Sequence, residues 1–185
     1  MSVLAASITS ITLAEIGDKT QLLSFLLVSR YRKPIPIILA ILLATAINHF
    51  ASAWLGVMLA GWLSPQVLNW VIVASLVSMA VWILVPDKLD DDDTVPNRGP
   101  FMASFIAFSL AEIGDKTQVA TSILGAQYSD AVGWVVLGTT IGMMLANIPV
   151  VLLGQFSADK IPMGIVRKLT ACVFVVMAAF ALARL

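Results

Sequence analysis

Long apolar runs separated by short polar connections organise the chain. Six can be read: Val3–Val28, Pro34–Ala60, Val67–Val85, Phe101–Leu124, Ala131–Leu153 and Gly164–Leu182. Each approaches or exceeds the roughly 20 residues that a helix needs to cross a hydrocarbon layer, and they are too long for ordinary core helices. The pattern predicts an all-α integral membrane protein with six transmembrane helices. Little chain is left over for a soluble module.

Composition strengthens this reading. Hydrophobic residues make up 59% of the chain and charged residues 12%, whereas soluble domains carry about 45–50% and about 25%. A soluble fold of this size would lack the charged exterior it needs. The first run is too long and too polar at its centre for a cleaved signal sequence. The single cysteine, Cys172, lies in an apolar run, excludes an internal disulfide and reads as a small packing residue.

The net charge of zero hides a segregation. Arg30, Arg32 and Lys33 fall between runs one and two, Lys88 and Arg98 between three and four, and Lys160, Arg167 and Lys168 between five and six. The alternate connections, 61–66 and 125–130, hold no basic residue, and Arg184 stands at the C-terminus. The bias toward one side is eight to one. Positive charge marks the cytoplasmic face, so the expected topology is multi-pass with both termini outside and the central connection cytoplasmic. The acidic run Asp90–Asp93 lies in that connection and reads as a solvated linker.

The segment Leu13-Ala-Glu-Ile-Gly-Asp-Lys-Thr-Gln21 returns unchanged as Leu110–Gln118, 97 residues further on and about half the chain away. Asn48 with Gly56 in run two echoes Asn147 with Gly154 in run five. The chain therefore divides into a first three-helix repeat over 1–86, an acidic cytoplasmic linker over 87–99 and a second repeat over 100–185, within one membrane domain. Three is odd, so the second repeat enters the bilayer from the opposite side, as the charge count also requires. Inverted repeats of this kind typify secondary transporters that bind substrate near the midplane.

The chemistry sits inside runs one and four, where Glu15, Asp18, Glu112 and Asp115 fall at membrane depth. An Asp at a helix centre costs roughly 2.5–3.5 kcal/mol on the insertion scale, so four carboxylates represent on the order of 10 kcal/mol. The plainest explanation is that Lys19 and Lys116 pair with them and bind helices together. Two lysines leave two negative charges over, the amount one divalent cation would cancel. On a continuous helix Glu15 and Asp18 are about 60° apart and Gln21 lies a further ~60° round. Glu15, Asp18 and Gln21 then form one oxygen-bearing stripe, and Glu112, Asp115 and Gln118 another. Lys19 falls on the other side of Glu15, within reach of it along the helix. Thr20, and by the same register Thr117, point away unless the helix is broken. Gly17 and Gly114 either permit such a break or let two helices approach closely. Two facing stripes, with Asn48 and Asn147 as additions, make a hard oxygen site suited to Ca²⁺, Mn²⁺ or Mg²⁺. No Cys or His cluster is present, which argues against zinc or copper. The lone histidine, His49, has no counterpart in the second half and reads as a hydrogen-bonded packing residue. Pro149 is expected to bend run five.

The paired Glu-x-Gly-Asp-Lys/Arg-Ser/Thr motifs resemble those of the cation/proton exchangers that include the MneA-type bacterial manganese exporters and the Golgi calcium/manganese transporters of eukaryotes. The resemblance spans essentially the whole chain, and both copies match at every defined position. It implies a secondary active transporter that exports Mn²⁺, and also Ca²⁺, from the cytoplasm in exchange for protons, with Glu15, Asp18, Glu112 and Asp115 as the family's acidic residues. The chain lacks the longer loops of eukaryotic members, and its size fits a bacterial inner membrane. Metal and protons would be cargo; no cofactor, enzymatic activity or nucleic-acid partner is expected, and the oligomeric state stays open. A passive divalent-cation channel and an intramembrane aspartyl protease are the alternatives. An internal inverted repeat suits alternating access better than a pore. The Glu before Gly-Asp departs from the protease pattern.

Overall fold

The computed structural model describes residues 2–85, 99–153 and 163–183. Among these residues the chain is helical throughout, with no strand. Eight helices follow in order: α1 (Val3–Glu15), α2 (Lys19–Tyr31), α3 (Pro34–Gly61), α4 (Pro65–Trp82), α5 (Pro100–Glu112), α6 (Lys116–Gln127), α7 (Val132–Leu153) and α8 (Met163–Leu182). A short 3-10 turn, Ser129–Ala131, leads into α7.

The ends are set by local chemistry. Pro34, Pro65 and Pro100 start their helices at a position where the missing N–H loses no helical bond. Ser2 and Ser64 cap α1 and α4 by accepting from Ala5 N–H and Val67 N–H. Arg32 closes α2 in the left-handed region at φ 50°.

Three stretches are long and apolar enough to cross a membrane: Pro34–Gly61, Pro65–Trp82 and Ser129–Leu153. Val3–Glu15, Pro100–Glu112 and Ala171–Leu182 are shorter apolar helices. The expectation of continuous helices over Val3–Val28 and Phe101–Leu124 is corrected here, because each run is two helices with a sharp break at the motif. α7 continues through Pro149 as helix. The acidic run and all of the proposed linker except Gly99 lie outside the described residues, as do Lys88, Arg98, Lys160 and Arg184.

Contacts run mainly between the halves. α1 lies along α7 and α5 along α3; α3 also packs on α6 and α7, and α4 packs on α8. Small residues bring these pairs together. A Cβ at Gly56 would collide with the backbone of Ser122, and one at Gly125 with the backbone of Ala53. On the α1–α7 seam, a Cβ at Gly142 would lie 2.9 Å from Ile8 O. Lipid supplies no hydrophobic drive between helices, so close backbone approach is a main source of packing energy there. The outer faces carry large apolar side chains, including Leu39, Phe50, Trp54, Trp62, Trp70 and Trp134. An apolar surface this extensive needs an apolar solvent. Cys172 is on this outer surface, where the sequence placed a packing residue.

Candidate metal site

Both motifs fold alike. Glu15 is the last residue of α1 and Asp18 the N-cap of α2; Glu112 and Asp115 hold the same places between α5 and α6. Between them, Ile16 and Ile113 are extended, while Gly17 and Gly114 take φ 81° and 74°. An L side chain in that region is strained, so glycine is needed where the chain turns.

Each break opens backbone groups beside buried side chains, where unpaired ones are costly. Gln21 and Gln118 close it: their Oε1 atoms accept from Gly17 N–H and Gly114 N–H, both at 2.7 Å. The Asp18 and Asp115 N–H groups donate to the Glu15 and Glu112 carbonyls at 3.1 Å. The carboxylates then cap the following helices, Asp18 accepting from Lys19 N–H at 2.8 Å and Asp115 from Thr117 Oγ1 at 3.1 Å. The single-helix stripe of Glu, Asp and Gln is thereby overturned, since the break takes Asp18 and Asp115 out of the register of α1 and α5. With the helix broken, Thr20 and Thr117 are both fully buried, and the Thr117 hydroxyl is the one that donates to Asp115.

The breaks bring acids from both halves together. Glu15, Asp18 and Asp115, all buried, have carboxylate oxygens within 4.8 Å of one another. Two unit charges at that spacing repel by about 3 kcal/mol at an effective dielectric near 20. Glu15 Oε1 accepts from Asn147 Nδ2 at 3.3 Å, and its fully buried Oε2 has no hydrogen-bond partner among the described residues. Asn147 is held in turn by Ser24 Oγ, which donates to its Oδ1 at 2.8 Å.

Glu112 stands apart from this trio. Its Oε1 accepts from Thr45 Oγ1 at 2.8 Å and its Oε2 from Asn48 Nδ2 at 3.1 Å. Thr45 was not singled out from sequence, because the second half has Met144 where the register places its counterpart. Lys19 does not pair along its own helix with Glu15; its Nζ lies 3.7 Å from Asp115 Oδ1 across the two halves. Lys116 Nζ donates to Val85 O at 2.8 Å. His49 is fully buried, but neither ring nitrogen has a hydrogen-bond partner among the described residues, so the expected hydrogen-bonded packing role is corrected.

The model of the divalent cation/proton antiporter GDT1 family matches residues 3–91 and 100–184, nearly the whole chain. The chain belongs to this family. Family members move divalent cations across membranes, in keeping with the apolar exterior and buried acids. A Vibrio cholerae serotype O1 relative named "Putative manganese exporter" is 67% identical over 178 residues, covering 96% of this chain and 89% of that protein. No solved structure matches the chain.

Proposed function

We propose that this protein exports Mn²⁺, and also Ca²⁺, from the cytoplasm across the inner membrane by exchanging each ion for protons. The observation that carries the reading is the buried trio Glu15, Asp18 and Asp115, which draws one helix break from each half to a common point. Glu15, Asp18 and Asp115 are the ion's ligands in this reading, and Glu112 joins them as a fourth carboxylate. Asn147 and Asn48 orient the two glutamates. Gln21 and Gln118 hold the breaks and keep one amide lone pair each for the ion. The helix pairs α1–α2 and α5–α6 act as broken spans, giving six spans in two inverted halves with both termini outside. The duplicated motif and the exchange of packing partners between halves support that arrangement.

Protons complete the cycle. Two excess negative charges are neutralised by one divalent cation or by two protons, and both compete for the same oxygens. Either neutral form crosses between inward- and outward-facing states, whereas the empty ionised site meets a charge-burial penalty that blocks leak. The test is flux into proteoliposomes under an imposed proton gradient, with Mn²⁺ and Ca²⁺ supplied separately. Uphill metal movement driven by the gradient is expected. Metal flux indifferent to the gradient would identify a channel instead.

A further inference from the structure

We infer that Lys19 is a tethered counter-cation: it occupies Asp115 while the site is empty and is displaced when a divalent ion arrives. The inference rests on the metal site proposed above and concerns how that site behaves without cargo. Lys19 is the first residue of α2, next to Asp18, yet its ammonium reaches Asp115 of the other half at 3.7 Å. Asp115 belongs to the trio and is almost completely buried, while the Lys19 side chain is 17% exposed. The pair thus joins a fixed acid to a cation at the rim on a long flexible stem.

Three carboxylates this close in a poorly hydrated place need positive charge nearby. Glu15 and Asp18 are fixed at a helix end and a helix cap, and Glu15 is also held by Asn147. Lys19, partly exposed on a flexible four-carbon stem, is the member that can withdraw. A divalent ion ligated by Asp115 brings twice the charge of the ammonium to the same oxygen, so the two cations exclude each other. Lys19 therefore weakens metal binding and speeds release. A lysine that merely fastened the halves together would act in the opposite sense, since its loss would loosen the site and weaken binding.

The test uses the full-length protein in nanodiscs, with Mn²⁺ alone as ligand. Equilibrium binding is measured for wild type, Lys19→Gln and Lys19→Met, with Lys33→Gln as a control that removes an exposed charge elsewhere. Both neutral variants are expected to bind Mn²⁺ about tenfold more tightly, equal to about 1.4 kcal/mol, while maximal exchange in proteoliposomes falls. Lys33→Gln should leave affinity unchanged. A second measurement needs no variant: mass spectrometry of reductive methylation should show Lys19 reacting faster in wild type once Mn²⁺ saturates the site. Unchanged or weaker Mn²⁺ binding by the Lys19 variants, or slower methylation with Mn²⁺, overturns the inference and leaves the metal site standing. Failure of wild type to bind Mn²⁺ overturns the site reading itself.

Discussion

Glu15 and Glu112 occupy equivalent places but differ in what surrounds them. Both Glu112 oxygens accept hydrogen bonds, from Thr45 and Asn48, whereas Glu15 keeps one buried oxygen without such a partner among the described residues. In the proposed mechanism the exchange site is therefore centred on Glu15, Asp18 and Asp115. Asp18→Asn and Asp115→Asn each retain shape and remove one charge, so both should abolish metal-driven exchange in proteoliposomes while the protein stays folded. Normal transport by either would rule out one shared site. Thr45→Val leaves a buried Glu112 oxygen without its hydroxyl donor and should lower stability by about 1–3 kcal/mol, read from thermal unfolding in detergent. The acids were legible in the sequence because ionisable residues in an apolar run are expensive enough to demand a role. Thr45 was not, since one more hydroxyl in an apolar helix carries no signal until its partner is seen.

At the level of elements, four of the six apolar runs match the helices to within a few residues, because length and hydropathy fix them. The two that carry the motif are each two helices, so the break that Gly17 and Gly114 leave open in the sequence is the form taken. The stripe drawn on a continuous helix does not hold. The signal was present: Asp18-Lys-Thr-Gln21 and Asp115-Lys-Thr-Gln118 have the spacing of an N-cap and its N3 partner, each just after a glycine. Long apolar flanks outweighed it. Gly17→Ala and Gly114→Ala should each destabilise by about 1–2 kcal/mol, the cost of a side chain in the left-handed region. Gly125→Ala tests packing instead, because its Cβ meets the Ala53 backbone. It should lower stability by about 1–3 kcal/mol. Gly133→Ala, with nothing within 4 Å of its Cβ, should change the same melting measurement little.

For the whole molecule, charge segregation and the duplicated motif predict a sidedness that labelling can check. A cysteine at position 92 in a Cys172→Ala background should react only from the cytoplasmic face of sealed cells, and labelling from outside would reverse the topology. Competition between protons and metal sets the direction of the pH effect. Acidifying the exterior should drive metal outward, and metal affinity should weaken as pH falls, because protons take the oxygens the cation needs. Paired tracer and current measurements should give nearly electroneutral transport. About two charges per ion would mean that protons do not balance the metal.

The exchange of packing partners between halves also bears on how the protein is made. During synthesis α1 emerges long before α7, and α3 before α5 and α6. The first half therefore enters the bilayer with Glu15 and Asp18 facing lipid or the insertion machinery, still without the helices that will bury them. The expected consequence is a first half that stays loosely assembled and open to membrane proteases until the second half arrives. Residues 1–85 expressed alone should turn over rapidly in pulse-chase experiments. Co-expression with residues 99–185 as a separate chain should rescue both, each piece acting as the other's chaperone.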